Sequence, residues 1–224
     1  MKEITKMCRH KVASVIFGWI IGQLAVFAQP GWVPLSAKHK VQSFRVHASG
    51  SETLVNEISG MYYRSSSGST LLVKSPVVDG QIRSDYASAT MTDAKTGEVF
   101  NLDYKRRVAT LMQRRPTPLT TQRRNPSTLI GSEVVNGIAC VIQKVECVDG
   151  LLSKDAVECG KAWYSQELDL LIRMETTWPG GRDTMERYDI QIGEEPAPSL
   201  FEVPADFERV ARTEQLACPQ CPWR

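Results

Sequence analysis

The chain has 224 residues, with 27 Lys and Arg against 25 Asp and Glu, which is enough length for one domain with a buried core. Four of the basic residues but one acidic residue lie within the first 28 positions, so the remainder carries 23 basic and 24 acidic residues. That nearly neutral balance argues against a general nucleic-acid-binding protein.

The N-terminal segment, residues 1–28, has the order of a secretory signal peptide. A basic start is followed by an uncharged, mostly apolar run over 12–28, which ends in small residues at Val26 and Ala28. We expect cleavage after Ala28 and an exported protein, in the periplasm or secreted. The alternative is an uncleaved anchor helix, but this uncharged run is shorter than the roughly 20 apolar residues that span a bilayer.

Short β-rich runs separated by turn signals follow the N-terminal segment, as is typical of an all-β domain. Gly60 lies inside one run and suggests a bulge or bend, and Pro76 is expected to end another. Tight turns are expected at 65–68, 79–80 and 93–97. The strands expected in this half cover 41–48, 54–64, 70–74, 85–92, 99–104 and 107–112.

Residues 113–128 interrupt this pattern with three prolines and four arginines. The simplest interpretation is a solvated surface loop within the sheet domain. Together with residues 105–107, this basic 105–124 segment could instead contact anionic headgroups or an acidic partner. The arginines that would form that contact patch are Arg114, Arg115, Arg123 and Arg124.

The second half predicts further strands over 137–147, 161–164 and 170–178, and a hairpin turn over 179–181. On the return strand Tyr188, Ile190 and Ile192 are expected to share one face. The proline-rich segment 194–207 is expected to pack as a closing clip. The sequence therefore predicts a mainly β protein, an antiparallel sheet meander with little helix. It forms a single domain over 29–207, followed by a tail over 208–224.

Several short motifs resemble those of a large set of uncharacterised exported bacterial proteins common in acidobacteria. The resemblance spans Ser43 to Phe207. Its motifs are Asp93 with Gly97, Asn136-Gly137-Ile138 before Cys140, Tyr164-Ser165 before Leu168, and Glu195 to Phe207.

More distantly, the meander ending in a proline-rich clip is similar to the lipoprotein-carrier (LolA/LolB-like) class. That resemblance implies a curved sheet, a half-barrel, around an apolar cavity that holds acyl chains. It implies no catalytic residue. The chain differs from the carriers in having no predicted helix before the first strand and no predicted lid helix.

Five cysteines lie beyond the signal peptide, and in an oxidising compartment disulfides are the expected state. Cys147 and Cys159 flank a short connection, and a bridge between them would stabilise the fold by about 3 kcal/mol. Cys140 lies an odd number of positions from Cys147, hence on the opposite face of a continuous strand. It is expected to be a buried free thiol or to pair with the tail.

Cys218 and Cys221 form a C-x-x-C motif, and three residues follow it in the sequence. Structural disulfides, with each other or with Cys140, are the simplest interpretation. A redox pair is the alternative, although such pairs usually lie at a helix N-terminus of a thioredoxin-like fold. A zinc site would need a second pair of ligands.

No residue pattern indicates a catalytic, metal or cofactor site. The two histidines beyond residue 28, His39 and His47, have no carboxylate cluster at ligand spacing, and no nucleophile or phosphate-loop motif occurs. Trp163, Trp178 and Tyr188 could line a ligand groove, although aromatic residues at strand spacing more often belong to the core.

We therefore expect an exported, non-enzymatic binding module of the cell envelope, which holds a lipid-like or peptide ligand in an apolar concavity. One alternative is a structural or interaction protein that uses the basic 105–124 segment to contact an envelope protein or the membrane surface. The other is a thiol-disulfide redox protein that uses Cys218 and Cys221. No nucleic-acid partner and no cofactor are expected.

Overall fold

A computed structural model describes residues 31–114, 128–148 and 156–211. All of its secondary-structure elements belong to the compact unit that begins at Val33. Within the described residues, no helix is long and apolar enough to cross a membrane.

β-strands make up most of the described chain, and its helical structure consists of two 3₁₀ turns, Ser84–Tyr86 and Pro198–Phe201. The strands are β1 Leu35–Val46, β2 Glu52–Arg64, β3 Thr70–Val78, β4 Gln81–Ile82, β5 Ser88–Thr92, β6 Glu98–Asp103, β7 Val108–Arg114, β8 Leu129–Val135, β9 Ile138–Val148, β10 Ala156–Ser165, β11 Leu170–Trp178, β12 Gly181–Ile192 and β13 Glu208–Ala211.

The strands form one curved, open sheet in the order β13-β7-β6-β5-β3-β2-β1-β12-β11-β10-β9-β8, with β4 paired to β3 alone. All of these pairs are antiparallel except β13 with β7, which is parallel. The predicted mainly β fold with a curved antiparallel sheet is confirmed. The strands β2, β1 and β12 lie next to one another in the middle of this order.

The structure extends or corrects several predicted elements. β8 was not expected, because its sequence, LIGSEVV, has little alternation and lies at the sheet edge. β5 begins at Ser88, since residues 84–86 form a 3₁₀ turn rather than the start of a strand. The sheet also continues past the expected domain end at 207, through β13.

Gly60 and Pro76 lie inside regular strands, contrary to prediction. The register of β2 is unbroken at Gly60, and the irregularity between β1 and β2 falls at Ser43 and Phe44. Pro76 lies in a gap between two ladders on one side of β3, because pairing with β5 ends at Lys74 and pairing with β4 starts further on. There a missing N–H costs no ladder hydrogen bond.

Two hydrophobic clusters hold the sheet together. The first is built around Leu35, Trp163 and Ile172, and the second around Met91 and Leu102. The expected clip is confirmed, because four of its apolar side chains belong to or pack against the second cluster: Leu200, Phe201, Val203 and Phe207.

Candidate functional site

The two faces of the central strand β1 differ in burial and chemistry. Leu35, Ala37 and His39 are buried, whereas Lys38 between them is exposed. Alternate strand residues point to opposite sides of a sheet. We call the side that His39 shares with Val41 the His39 face, and the opposite side the Lys40 face.

An apolar row crosses six strands on the His39 face. Its members are consecutive register partners from β3 to β10: Pro76, Ile58, Val41, Met185, Met174 and Ala162. Met185 and Ala162 are buried, and the other four are partly buried. None of the six belongs to either described hydrophobic cluster. The sheet therefore carries a continuous apolar strip that is not part of its two cores.

A basic row lies next to the apolar row, two residues along each strand. It runs from β3 to β12 and consists of Lys74, Gly60, His39 and Arg187. Gly60 has no side chain to separate Lys74 from His39. A Cβ there would lie 1.9 Å from the carbonyl oxygen of Val73, so the close approach of β3 requires glycine.

The guanidinium of Arg187 is held from two sides. It lies over the ring of Tyr62, 4.5 Å from the ring centroid, and its Nη1 donates to the carbonyl oxygen of Leu171. Arg64, a second arginine on this face, is buried, and its Nε and Nη2 donate to the carbonyl oxygen of Val33 at 3.0 and 2.9 Å. These contacts fix two cations on the His39 face.

His39 is the most unusual member of the basic row. His39 is 3% exposed, and its Nδ1 has no hydrogen-bond partner. Burial first, and then the charges of Arg187 and Lys74, lower the pKa of His39 from 6.5 to about 4. At neutral pH the imidazole is therefore uncharged, with a buried polar atom left unsatisfied at a cost of about 1–3 kcal/mol.

The Lys40 face carries a polar groove with a cavity volume of about 230 Å³. Charged residues of the groove are ion-paired: Lys40 Nζ lies 3.5 Å from the carboxylate of Glu57 beside the groove, and Arg173 pairs with Glu175 within it. An ion-paired, polar lining offers little apolar surface to a lipid-like ligand. The groove is lined by Lys40, Gln42, Phe44, Arg173, Glu175, Arg182, Thr184 and Glu186, and it is also bordered by Met185, whose register places it in the apolar row of the opposite face.

Solved structures resemble this chain at low sequence identity. A DUF1329 family protein from Desulfovibrio piger is 9% identical, with a TM-score of 0.34, over 83% of this chain and 95% of that chain. PNGF-II is 11% identical, with a TM-score of 0.43, over 81% of this chain and 32% of that one. The Mycobacterium tuberculosis lipoprotein LppX is 11% identical, with a TM-score of 0.32, over 85% of this chain and 99% of its own.

All three TM-scores lie below 0.5, and no role is carried over from these proteins to this chain. No family model matches the chain, and no curated protein matches it.

The three aromatic residues expected to line a groove lie at three different places in the structure. Trp163 belongs to the first hydrophobic cluster, and its Nε1 donates to the Glu133 carboxylate at 2.7 Å. Trp178 is partly exposed at the end of β11, beside the hairpin turn. Tyr188 lies beneath the ammonium of Lys38 on the Lys40 face, 5.8 Å from its ring centroid. Their role in ligand binding stays a prediction.

Cys140 is buried in the first cluster as a free thiol, and burial raises its pKa, which keeps the sulfur protonated and unreactive. Cys159 is disulfide-bonded and occupies the extra position of a bulge in β10. Cys147 lies on the neighbouring strand, opposite Val157. This register supports the expected Cys147–Cys159 bridge, which stays a prediction. The C-x-x-C motif at 218–221 lies outside the described residues.

The side chains of the expected basic contact patch lie outside the described residues. Arg114 ends β7, but its side chain lies outside the described residues, as do Arg115, Arg123 and Arg124. In the described part of the basic segment, Lys105 lies 4.1 Å from the centroid of the Tyr86 ring.

Among the described residues, no group of three or more His, Cys, Asp or Glu could hold a metal ion. Sequence reasoning considered His39 only as a metal ligand and missed its place in the basic row.

Proposed function

We propose that the protein is an exported, non-enzymatic binding module of the cell envelope that holds a lipid-like or peptide ligand on the His39 face. The observation that carries this proposal is the apolar row, which crosses six strands outside both hydrophobic clusters. Its side chains carry no reactive group, which suits binding rather than catalysis.

A ligand that covers the exposed part of the apolar row gains affinity from the apolar surface that it removes from water. Each 100 Å² or so that is covered contributes about 2.5 kcal/mol at about 25 cal/mol per Å². Ordering the ligand offsets part of this gain. A flexible apolar chain also fits a row that contains two methionines, Met174 and Met185, whose unbranched side chains adapt to irregular shapes.

Native mass spectrometry of the protein purified from its own envelope tests the proposal in its simplest form. We expect a co-purified ligand of lipid or peptide mass. Nile red, an uncharged apolar dye, provides a second measurement in vitro. The purified protein should bind the dye and increase its fluorescence, and the increase should grow with the fraction of protein molecules whose apolar row holds no ligand.

Two variants test whether the dye binds at the apolar row. Val41→Glu and Met174→Glu each place a carboxylate in the apolar row, and each should weaken Nile red binding about tenfold or more, since an unpaired charge is costly at a desolvated contact. Val55→Glu is the matched control, because Val55 lies in β2 and is 54% exposed. Circular dichroism confirms folding. Absence of both a co-purified ligand and dye uptake would contradict the proposal.

The two alternative functions remain separate proposals. The basic-segment interaction and the redox use of Cys218 and Cys221 both depend on residues outside the described part of the chain. Envelope fractionation after replacement of the four patch arginines, and a non-reducing peptide map of the cysteines, would test them directly.

A further inference from the structure

We infer that the ligand of the His39 face is an anionic amphiphile, whose carboxylate or phosphate group lies between Lys74, His39 and Arg187 while its apolar chain follows the apolar row. This inference rests on the proposed function and names the ligand class. The basic row and the apolar row are register neighbours, so a head bound on one places the first carbons of the chain on the other.

Distances along the strands suit such a molecule. His39 and Val41 are two residues apart on β1, which corresponds to about 7 Å along a strand. Lys74 and Pro76 have the same spacing on β3, as do Arg187 and Met185 on β12. One head group therefore reaches the basic row from a chain that lies across the strands.

Lys74 has no ion pair among the described residues, and both Lys74 and Arg187 act on His39 as positive charges. Other charged or titratable groups near this row include Arg64, Tyr62, Asp169 and Asp183. Glu57 and Glu186 lie on the same strands but on the Lys40 face. Asp169 acts on Arg64 and Tyr62 rather than on His39.

The unsatisfied Nδ1 of His39 is an independent sign of a missing partner. It is a polar atom of a residue that is 3% exposed, and that residue lies between Lys74 and Arg187 in the basic row. Buried polar groups in proteins are nearly always hydrogen-bonded. An anion there would accept a hydrogen bond from Nδ1–H and favour the protonated imidazole, reversing the effect of the two cations.

Titration calorimetry with decanoate and 1-decanol, two probes of equal chain length, tests this inference at pH 7.4 below their aggregation limits. We expect decanoate to bind about tenfold more tightly or better, because its carboxylate accepts charge-assisted hydrogen bonds that the hydroxyl of decanol cannot match. Equal affinities would overturn the inference.

Lys74→Met should remove most of the preference for decanoate and leave decanol binding unchanged. The matched control is Lys161→Met, since Lys161 is exposed on β10, opposite Glu175 of the Lys40 face. We expect Lys161→Met to bind both probes like the unaltered protein. If Lys74→Met retains the full preference, the head group does not lie at the basic row.

Other outcomes of the same titrations distinguish a failure of this inference from a failure of the proposed function. If decanol binds as well as decanoate and Val41→Glu abolishes both, the proposed function stands and the anionic head group is wrong. If neither probe binds, the proposed function itself fails. Inorganic phosphate alone should not bind at millimolar concentration, and binding comparable to that of decanoate would identify a free anion instead.

A measurement on the unaltered protein avoids any effect of substitution on folding. Nuclear magnetic resonance of ring-labelled histidine should show that decanoate raises the pKa of His39 and that decanol does not. A His39 pKa that is unchanged by saturating decanoate would contradict the placement of the head group.

Discussion

Replacing His39 with leucine should separate stability from function. In the unliganded protein the imidazole is buried with an unsatisfied Nδ1. Leucine is apolar and of similar volume, so it removes that unsatisfied atom from the interior. We expect His39→Leu to unfold at higher urea concentration than the unaltered protein at pH 7.5, with a gain of about 1 kcal/mol.

The stability of the unaltered protein should also depend on pH through His39. The pKa of His39 is about 4 in the folded protein against 6.5 for an unperturbed histidine, so the unfolded chain binds more protons between these values. The stability linked to neutral His39 is therefore complete above about pH 6.5 and is lost as the pH falls towards 4. For this shift the loss approaches about 3 kcal/mol.

Urea unfolding at pH 7.5, 6.5, 5.5 and 4.5 measures the effect as a difference between proteins. The free energy of unfolding of the unaltered protein should fall more steeply than that of His39→Leu over this range. His47→Leu is the control, because His47 is exposed and bonds Thr53 through its Nε2. Parallel pH curves for the unaltered protein and His39→Leu would refute the buried, neutral state of His39.

Two further predictions concern residues that hold the sheet around this site. Gly60→Ala should destabilise the fold by about 1–3 kcal/mol in urea unfolding, because the added Cβ would overlap the backbone of β3. Gly131→Ala is the control and should change stability far less, since a Cβ there would meet only a side-chain carbon at 3.7 Å. Equal effects of the two substitutions would contradict the close-approach explanation. Cys140 should react with a thiol reagent only as fast as the protein unfolds, because it is a buried thiol whose pKa is raised; rapid labelling of this residue in the native protein, identified by peptide mapping, would show that it is accessible.

Much of the fold is predictable from local pattern. The strands around residues 170–192 follow from strict alternation and a Pro-Gly turn, and the proline-rich clip follows from its spaced apolar residues. β1 begins at Leu35, six residues earlier than predicted, because its first half, LSAKHK, alternates in burial without the usual β-branched residues. Its alternation becomes visible only once Ala37 and His39 are known to be buried.

The candidate site depends on pairings that local pattern does not determine. His39 and Arg187 are partners because β1 pairs with β12, strands that are far apart in sequence. Lys74 joins them across Gly60, a glycine that the sequence pattern alone indicates as a bulge or bend. The sequence signal that could have indicated this site is glycine inside a strand, which marks close backbone approach as well as bulges.

The position of the ligand chain is the central claim, and methyl resonances of methionine report on it directly. Met174 and Met185 lie in the apolar row, whereas Met61 pairs with Lys38 on the Lys40 face. With methyl-labelled methionine, decanoate should shift the signals of Met174 and Met185 and show intermolecular contacts to them, while Met61 stays unchanged. Shifts confined to Met61, or no shift at saturating decanoate, would contradict a ligand site on the His39 face.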